Sequence, residues 1–249
     1  MDQFDDESVS LEAGGTDQPL SCPGLPGPVH WRRSARATRV SLRIDARSGA
    51  VVVTLPPRAG RPAGVALLTT HAAWVREKLA ALAPHIALEP GSEVPLGGLL
   101  HVIRAVPEPA GAEHRDVAWL KAGAILVRAA PEDVPQSVAA FLRDEASRRI
   151  HALVAEHAAT LGVLPGRVRL KDTKSRWGSC APDGTLAFSW RLVMAPAWVL
   201  DYVVAHEVAH LRELNHSPQF WDVLASLTPH RDAAVAWLKE NGPALLRVG

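Results

Sequence analysis

From Arg39 to Ile44 the chain reads RVSLRI, with Val40, Leu42 and Ile44 alternating against Arg39, Ser41 and Arg43. This period of two predicts a strand with one apolar and one basic face. DARSG then reads as a turn and AVVVTLP as the returning strand. The pattern changes in RPAGVALLTTHAAWVREKLAAL, whose spacing predicts one helix from Pro62 to about Leu82. LLHVIRAV reads as a strand, and DVAWL and AILVRA, joined by KAG, read as a second hairpin. In the longest helical stretch Phe141, Leu142, Ala146, Ile150, Leu153 and Val154 recur at helical spacing until Gly162. RVRLKDTKSRWGSCAPDGTLAFSWRLV predicts strands around a PDG turn. A helix follows from Ala197 to about Leu214. Ser217-Pro218 and Thr228-Pro229 each read as an N-cap with proline at the first helical position, and NGP ends the last helix after Trp237.

The mixture of strands and helices is expected to form an α+β fold. Residues 1–28 are acidic, then rich in Gly and Pro, and read as a disordered tail. Residues 29–130 form a strand-rich region with one helix, and residues 131–249 a second region. The charges balance, 27 basic against 26 acidic, so there is no global pull toward nucleic acid or membrane. Cys22 and Cys180 are far apart in sequence, which fits a reducing cytoplasm better than a disulfide scaffold. The acidic start has no signal-peptide pattern, and no apolar run reaches the roughly 18 residues of a membrane span. A soluble cytoplasmic protein is expected.

The chemistry concentrates in DYVVAHEVAHLRELNHSPQFW. His206 and His210 are one helical turn apart on one face, and Glu207 is offset from His206 by roughly 100°. The flanking Val199, Val203, Val204, Val208, Ala209 and Leu211 predict a buried helix. Polar groups buried there without partners would cost several kcal/mol, and a shared ion supplies the partner. H-E-x-x-H offers two zinc ligands and a general base. His216 lies at the junction between two helices, where a short turn can bring it to the same ion. Three ligands with an open fourth position are the arrangement of a catalytic zinc site. An acidic third ligand such as Glu213 is the rival.

Other residues have plainer readings. His151, His157 and His230 read as core histidines. Tyr202, one turn before His206, reads as core, with oxyanion donation as its functional alternative. Arg176, Arg191 and Arg212 are further candidates for that role. Cys180 reads as packing, and Gly178 as a bulge or a close backbone approach.

KSRWGSCAPDGTLAFSWRLVMAP followed by DYVVAHEVAHLRELNHSPQFW resembles the bacterial YgjP-like metallopeptidase family, relatives of SprT-like and Wss1-like zinc proteins. RRSARATRVSLRIDARSGAVVVTLPPRA resembles the family's N-terminal hairpin, so the likeness spans roughly residues 30 to 240. It implies a zincin-like fold in which residues 131–249 are catalytic. It places zinc on His206, His210 and His216, makes Glu207 catalytic, and implies a peptide or protein substrate. Ser189 stands where many relatives carry asparagine.

Two other readings compete. Arg32, Arg33, Arg36, Arg39, Arg43 and Arg47 have only Asp45 among them, and a basic strand face could meet nucleic-acid phosphate. A zinc centre could also hydrolyse a phosphoanhydride or another small electrophile.

Overall fold

The computed structural model describes residues 20–21, 28–107, 117–173 and 176–249. The tail expected to be disordered, residues 1–28, lies outside them except for Leu20, Ser21 and Pro28, and so does Cys22. The chain divides into two compact units, Met1–Ala81 and Leu82–Gly249.

The first unit holds β1 (Leu20–Ser21), β2 (Pro28–Arg33), β3 (Ser41–Ile44), β4 (Val51–Leu55), α1 (Arg61–Thr70) and α2 (Ala72–Ala80). Its sheet has the order β1-β2-β4-β3, and the expected β3–β4 hairpin is antiparallel with Leu42 opposite Val53. Ser41 and Arg43 are exposed while Leu42 and Ile44 pack toward the core, as the alternation requires. That core is Val29, Trp31, Val51, Val53, Leu55, Leu68 and Val75. Arg33 leaves the basic face to donate to the carbonyls of Pro57 at 2.6 Å and Ala59 at 3.1 Å. The single helix expected from Pro62 to about Leu82 is broken at His71. Thr69 and Thr70 explain the break: their hydroxyls donate back to the carbonyls of Val65 at 3.0 Å and Ala66 at 2.9 Å, a contact that bends helices.

The second unit contains β5 (Glu93–Leu96), β6 (Leu99–Ala105), β7 (Ala118–Lys121), β8 (Ala124–Val127), α3 (Val134–Leu161), β9 (Val168–Lys171), β10 (Gly178–Cys180), β11 (Leu186–Ser189), α4 (Ala197–Ala209), α5 (Pro218–Leu227) and α6 (Arg231–Leu245). One sheet has the order β5-β6-β8-β7 and the other β10-β11-β9, which leaves β10 on an edge. On α3, Val134, Val138, Leu142, Ala146, Ile150 and Val154 form one buried stripe. That stripe packs on α4 and on the 3-10 turn Trp190–Met194.

Two expected helix ends move. α4 stops at Ala209 rather than near Leu214, because the chain tightens into Leu211→Val208 and Arg212→Ala209 backbone bonds. α6 runs to Leu245, through the NGP that was expected to end it. Gly242 is needed there, since a Cβ would lie 2.9 Å from the Trp177 ring. Pro243 sits on an exposed position, where solvent can take the carbonyl bond its missing N–H leaves open.

Two polar links hold the helices. Arg191, fully buried, donates from Nε to Asp172 at 3.1 Å and from one terminal nitrogen to the carbonyls of Leu245, at 3.0 Å, and Val248. It is a staple for the end of α6. Asp201 on α4 accepts from His157 of α3 at 2.8 Å and from the Thr228 hydroxyl at 2.6 Å. Thr228 is therefore a cross-link, and α6 starts later, after His230. His157 is buried as expected, whereas His151 is exposed and bonded to the Ser147 carbonyl one turn back. Burial alone would raise the Asp201 carboxyl, but the bonds from His157 and Thr228 outweigh it and hold the group below its ordinary value.

Replacing Arg191 with Met keeps most of the volume but strands the buried Leu245 and Val248 carbonyls. A loss of about 2–5 kcal/mol is expected in urea unfolding, with faster amide exchange at residues 245–249. For Asp201 the stabilisation is complete above the ordinary carboxylate pKa and is lost as pH falls through the lowered folded value. Asp201→Asn should therefore be less stable than the parent by about 1–2 kcal/mol near neutral pH, with the gap closing below roughly pH 4. Unfolding midpoints measured across that range check it.

Candidate metal centre

α4 forms because a proline-led apolar run, AWVLDYVVAHEVA, has core on nearly every side. Its last turn carries His206, Glu207 and His210. The next five residues turn the chain, and Ser217 caps α5 by accepting from the Phe220 N–H at 3.3 Å. The cap sets the residue before it, His216, over α4. Nε2 of His216 lies 3.1 Å from Nε2 of His206, and the ligand atoms of His206, His210 and His216 all lie within 4.8 Å of one another. Glu213, the rival ligand, contributes its backbone carbonyl instead: it accepts from His210 Nδ1 at 3.0 Å, which leaves the His210 Nε2 lone pair available.

The electrostatics suit a cation. Burial, then the neighbouring His210, His216 and Arg231, push His206 down to about 3. Burial also lowers His210. Both rings are thus neutral at pH 7, the form in which imidazole donates a lone pair. Nδ1 of His206 is buried without a hydrogen-bond partner, so nothing on that side competes for the ring. Two nitrogens sharing a tetrahedral ion at about 2.0–2.1 Å would be about 3.3 Å apart, close to the His206–His216 separation. The donor set fits one metal ion.

Glu207 is 7% exposed, and burial pushes it up to about 8 despite the opposing charge of Arg176. Strand β10 passes directly over it. A Cβ on Gly178 would lie 2.6 Å from both Cγ and Oε1 of Glu207, so the close approach expected at this glycine is there. Cys180, on the same strand, is half-buried and its thiol is raised to about 11, by burial and then by Glu207 and Asp183, which argues against a nucleophile. The Tyr202 ring lies edge-on to His206 at 5.9 Å and is buried. Of the candidate arginines, Arg191 is the staple described above, Arg212 bonds the Leu161 carbonyl at 3.4 Å, and Arg176 acts on Glu207.

A support that spacing does not reveal comes from α5. The Phe220 ring, fully buried, lies 4.5 Å from His210, 4.8 Å from His216 and 5.0 Å from His206. Trp221 stacks on His216 at 5.4 Å and an interplanar angle of 23°. An aromatic pair placed four and five residues after a junction histidine is the sequence signal that could have pointed to this floor.

A buried glutamate beside three convergent imidazoles is the arrangement of a metal-dependent hydrolase. The chain belongs to the YgjP-like metallopeptidase family, whose metallopeptidase domain matches residues 38–241. Two solved structures are similar over about a third of the chain. The metallopeptidase zymogen abylysin of Pyrococcus abyssi is 21% identical, with a TM-score of 0.34, over 37% of this chain and 95% of that one. The metallopeptidase zymogen jannalysin of Methanocaldococcus jannaschii is 22% identical, with a TM-score of 0.32, over 36% of this chain and 91% of that one. No curated protein matches. Family membership implies a metal ion and a peptide or protein substrate, and the mixed helix-and-sheet fold agrees with the α+β expectation. Among the described residues, no helix is long and apolar enough to cross a membrane.

Gly178→Ala is expected to displace the Glu207 carboxylate and lower peptide turnover about 100-fold while metal content stays unchanged. Rates measured beside elemental analysis of the same preparations check this.

Proposed function

We propose that this protein is a zinc-dependent peptidase in which His206, His210 and His216 hold the ion and Glu207 is the general base. The observation that carries the reading is the meeting of three imidazoles beside a buried carboxylate. Three nitrogen donors favour zinc over the oxygen-seeking ions. Zinc in such a site supplies Lewis acidity, making water a usable nucleophile at neutral pH and polarising the scissile carbonyl.

The chain's own groups do the rest. The positive charge of a bound ion would favour the ionised form of Glu207, which accepts a proton from the attacking water and passes it to the departing amine nitrogen. His210 keeps its orientation through the Glu213 carbonyl, and Phe220 fixes the ring planes from below. The open edge of β10 offers backbone N–H and C=O groups to an extended peptide, and Gly178 lets that strand run close to Glu207. A peptide paired there would have a backbone carbonyl near the centre.

The purified chain should bind about one zinc per molecule, and His216→Ala should lose it on dialysis against a weak chelator. Glu207→Gln should retain zinc while peptide cleavage falls by about a thousandfold. Full zinc retention by His216→Ala, or full activity of Glu207→Gln, would refute the assignment.

A further inference from the structure

The geometry points to Arg231 as a substrate-binding residue that pairs with a carboxylate of the peptide beside the metal centre. The inference rests on the peptidase reading and adds a preference to it. Arg231 opens α6, and its guanidinium carbon sits 3.7 Å from the Trp221 ring centroid. The arginines over Trp31, Trp119 and Trp190 lie at 4.5–5.9 Å from the ring centroids, so Arg231 sits closer, in van der Waals contact. The same indole stacks on His216 and meets His206 edge-on at 6.4 Å. One aromatic ring thus ties a cation to two of the three histidines.

The placement has no evident structural reason. A positive charge in the first turn of a helix faces the positive end of the helix dipole and is mildly unfavourable. The ion pair from Arg231 to Asp232 is long, 3.9 Å, and Asp232 is 99% exposed, so it is worth little. The Arg231 side chain is itself 51% exposed. The result is a guanidinium held against an indole while its side chain stays half exposed. That is a prepared receptor for a carboxylate, which arginine grips with two parallel hydrogen bonds. The carboxylate can be the free C-terminus of the substrate or an Asp or Glu side chain near the scissile bond.

The test uses full-length, zinc-loaded Glu207→Gln protein, so that binding is read without cleavage. Pools of fluorescein-labelled octapeptides are compared as pairs differing in one carboxylate: free C-terminus against amide, and internal Glu against Gln. One carboxylate pool should bind about tenfold or more tightly than its neutral partner by anisotropy, and which pair does so identifies the source. Adding Arg231→Gln should abolish the preference, Arg231→Lys should restore part of it, and both should keep the parent's zinc content and melting temperature. No carboxylate preference, no peptide binding, a preference that survives Arg231→Gln, or loss of zinc from that variant would each overturn the assignment. Failure of the peptidase reading shows separately, as absence of cleavage when the unsubstituted protein is given the same pools.

Discussion

The second unit depends on a conflict inside α4. The helix is buried on nearly every side, yet its last turn carries two histidines and a glutamate. Water would normally stabilise such groups, and burial withholds it. The protein answers by taking the charge from the two histidines and giving each group a neighbour. Burial takes the positive charge from His206 and His210 and weakens the negative charge of Glu207. What remains on the imidazoles is lone pairs aimed at a common point. The cost of burial and the affinity for a cation are two sides of one arrangement.

The surrounding elements keep that arrangement from relaxing. Phe220 lies against all three rings from α5, and β10 presses on Glu207 at the one residue type that leaves room for its carboxylate. Farther along α4, Asp201 joins α3 and Thr228, and Arg191 secures the end of α6, the helix whose start delivers Arg231. These polar links sit away from the histidines. They fix where helices cross, and the crossings decide where rings and carboxylate point.

How much of this was legible in the sequence follows from the range of each interaction. The spacing of His206 and His210, the Ser217-Pro218 cap and the β3–β4 alternation are local, and each predicted its element. The meeting of the three histidines was legible for the same reason, since a short turn and a cap govern His216. Errors arose where a distant contact overrode a local signal. Gly242 and Pro243 read as a helix stop, but Trp177 packs against Gly242 and the helix continues. Thr228 read as a cap, but Asp201, 27 residues earlier, takes its hydroxyl. The break at His71 was missed although its cause, two adjacent threonines, is local. Phe220 and Arg231 were given no role from the sequence, because their importance comes from contacts made across helix crossings.

The three histidines differ in how firmly they are held, and this bears on how such a centre assembles. His206 and His210 ride a rigid buried helix, while His216 is exposed and stands on a turn. Two donors on one helix already form half a site. The third depends on the Leu211–Ser217 turn, which is pinned at its far end by the Ser217 cap and flanked by the Trp221 stack. Both restraints come from the first turn of α5. Helix formation there therefore brings His216, Phe220 and Trp221 to the centre together. The packing of α5 on α4 thus adds His216 to a half-buried pair of histidines and sets the aromatic floor beside the same donor set.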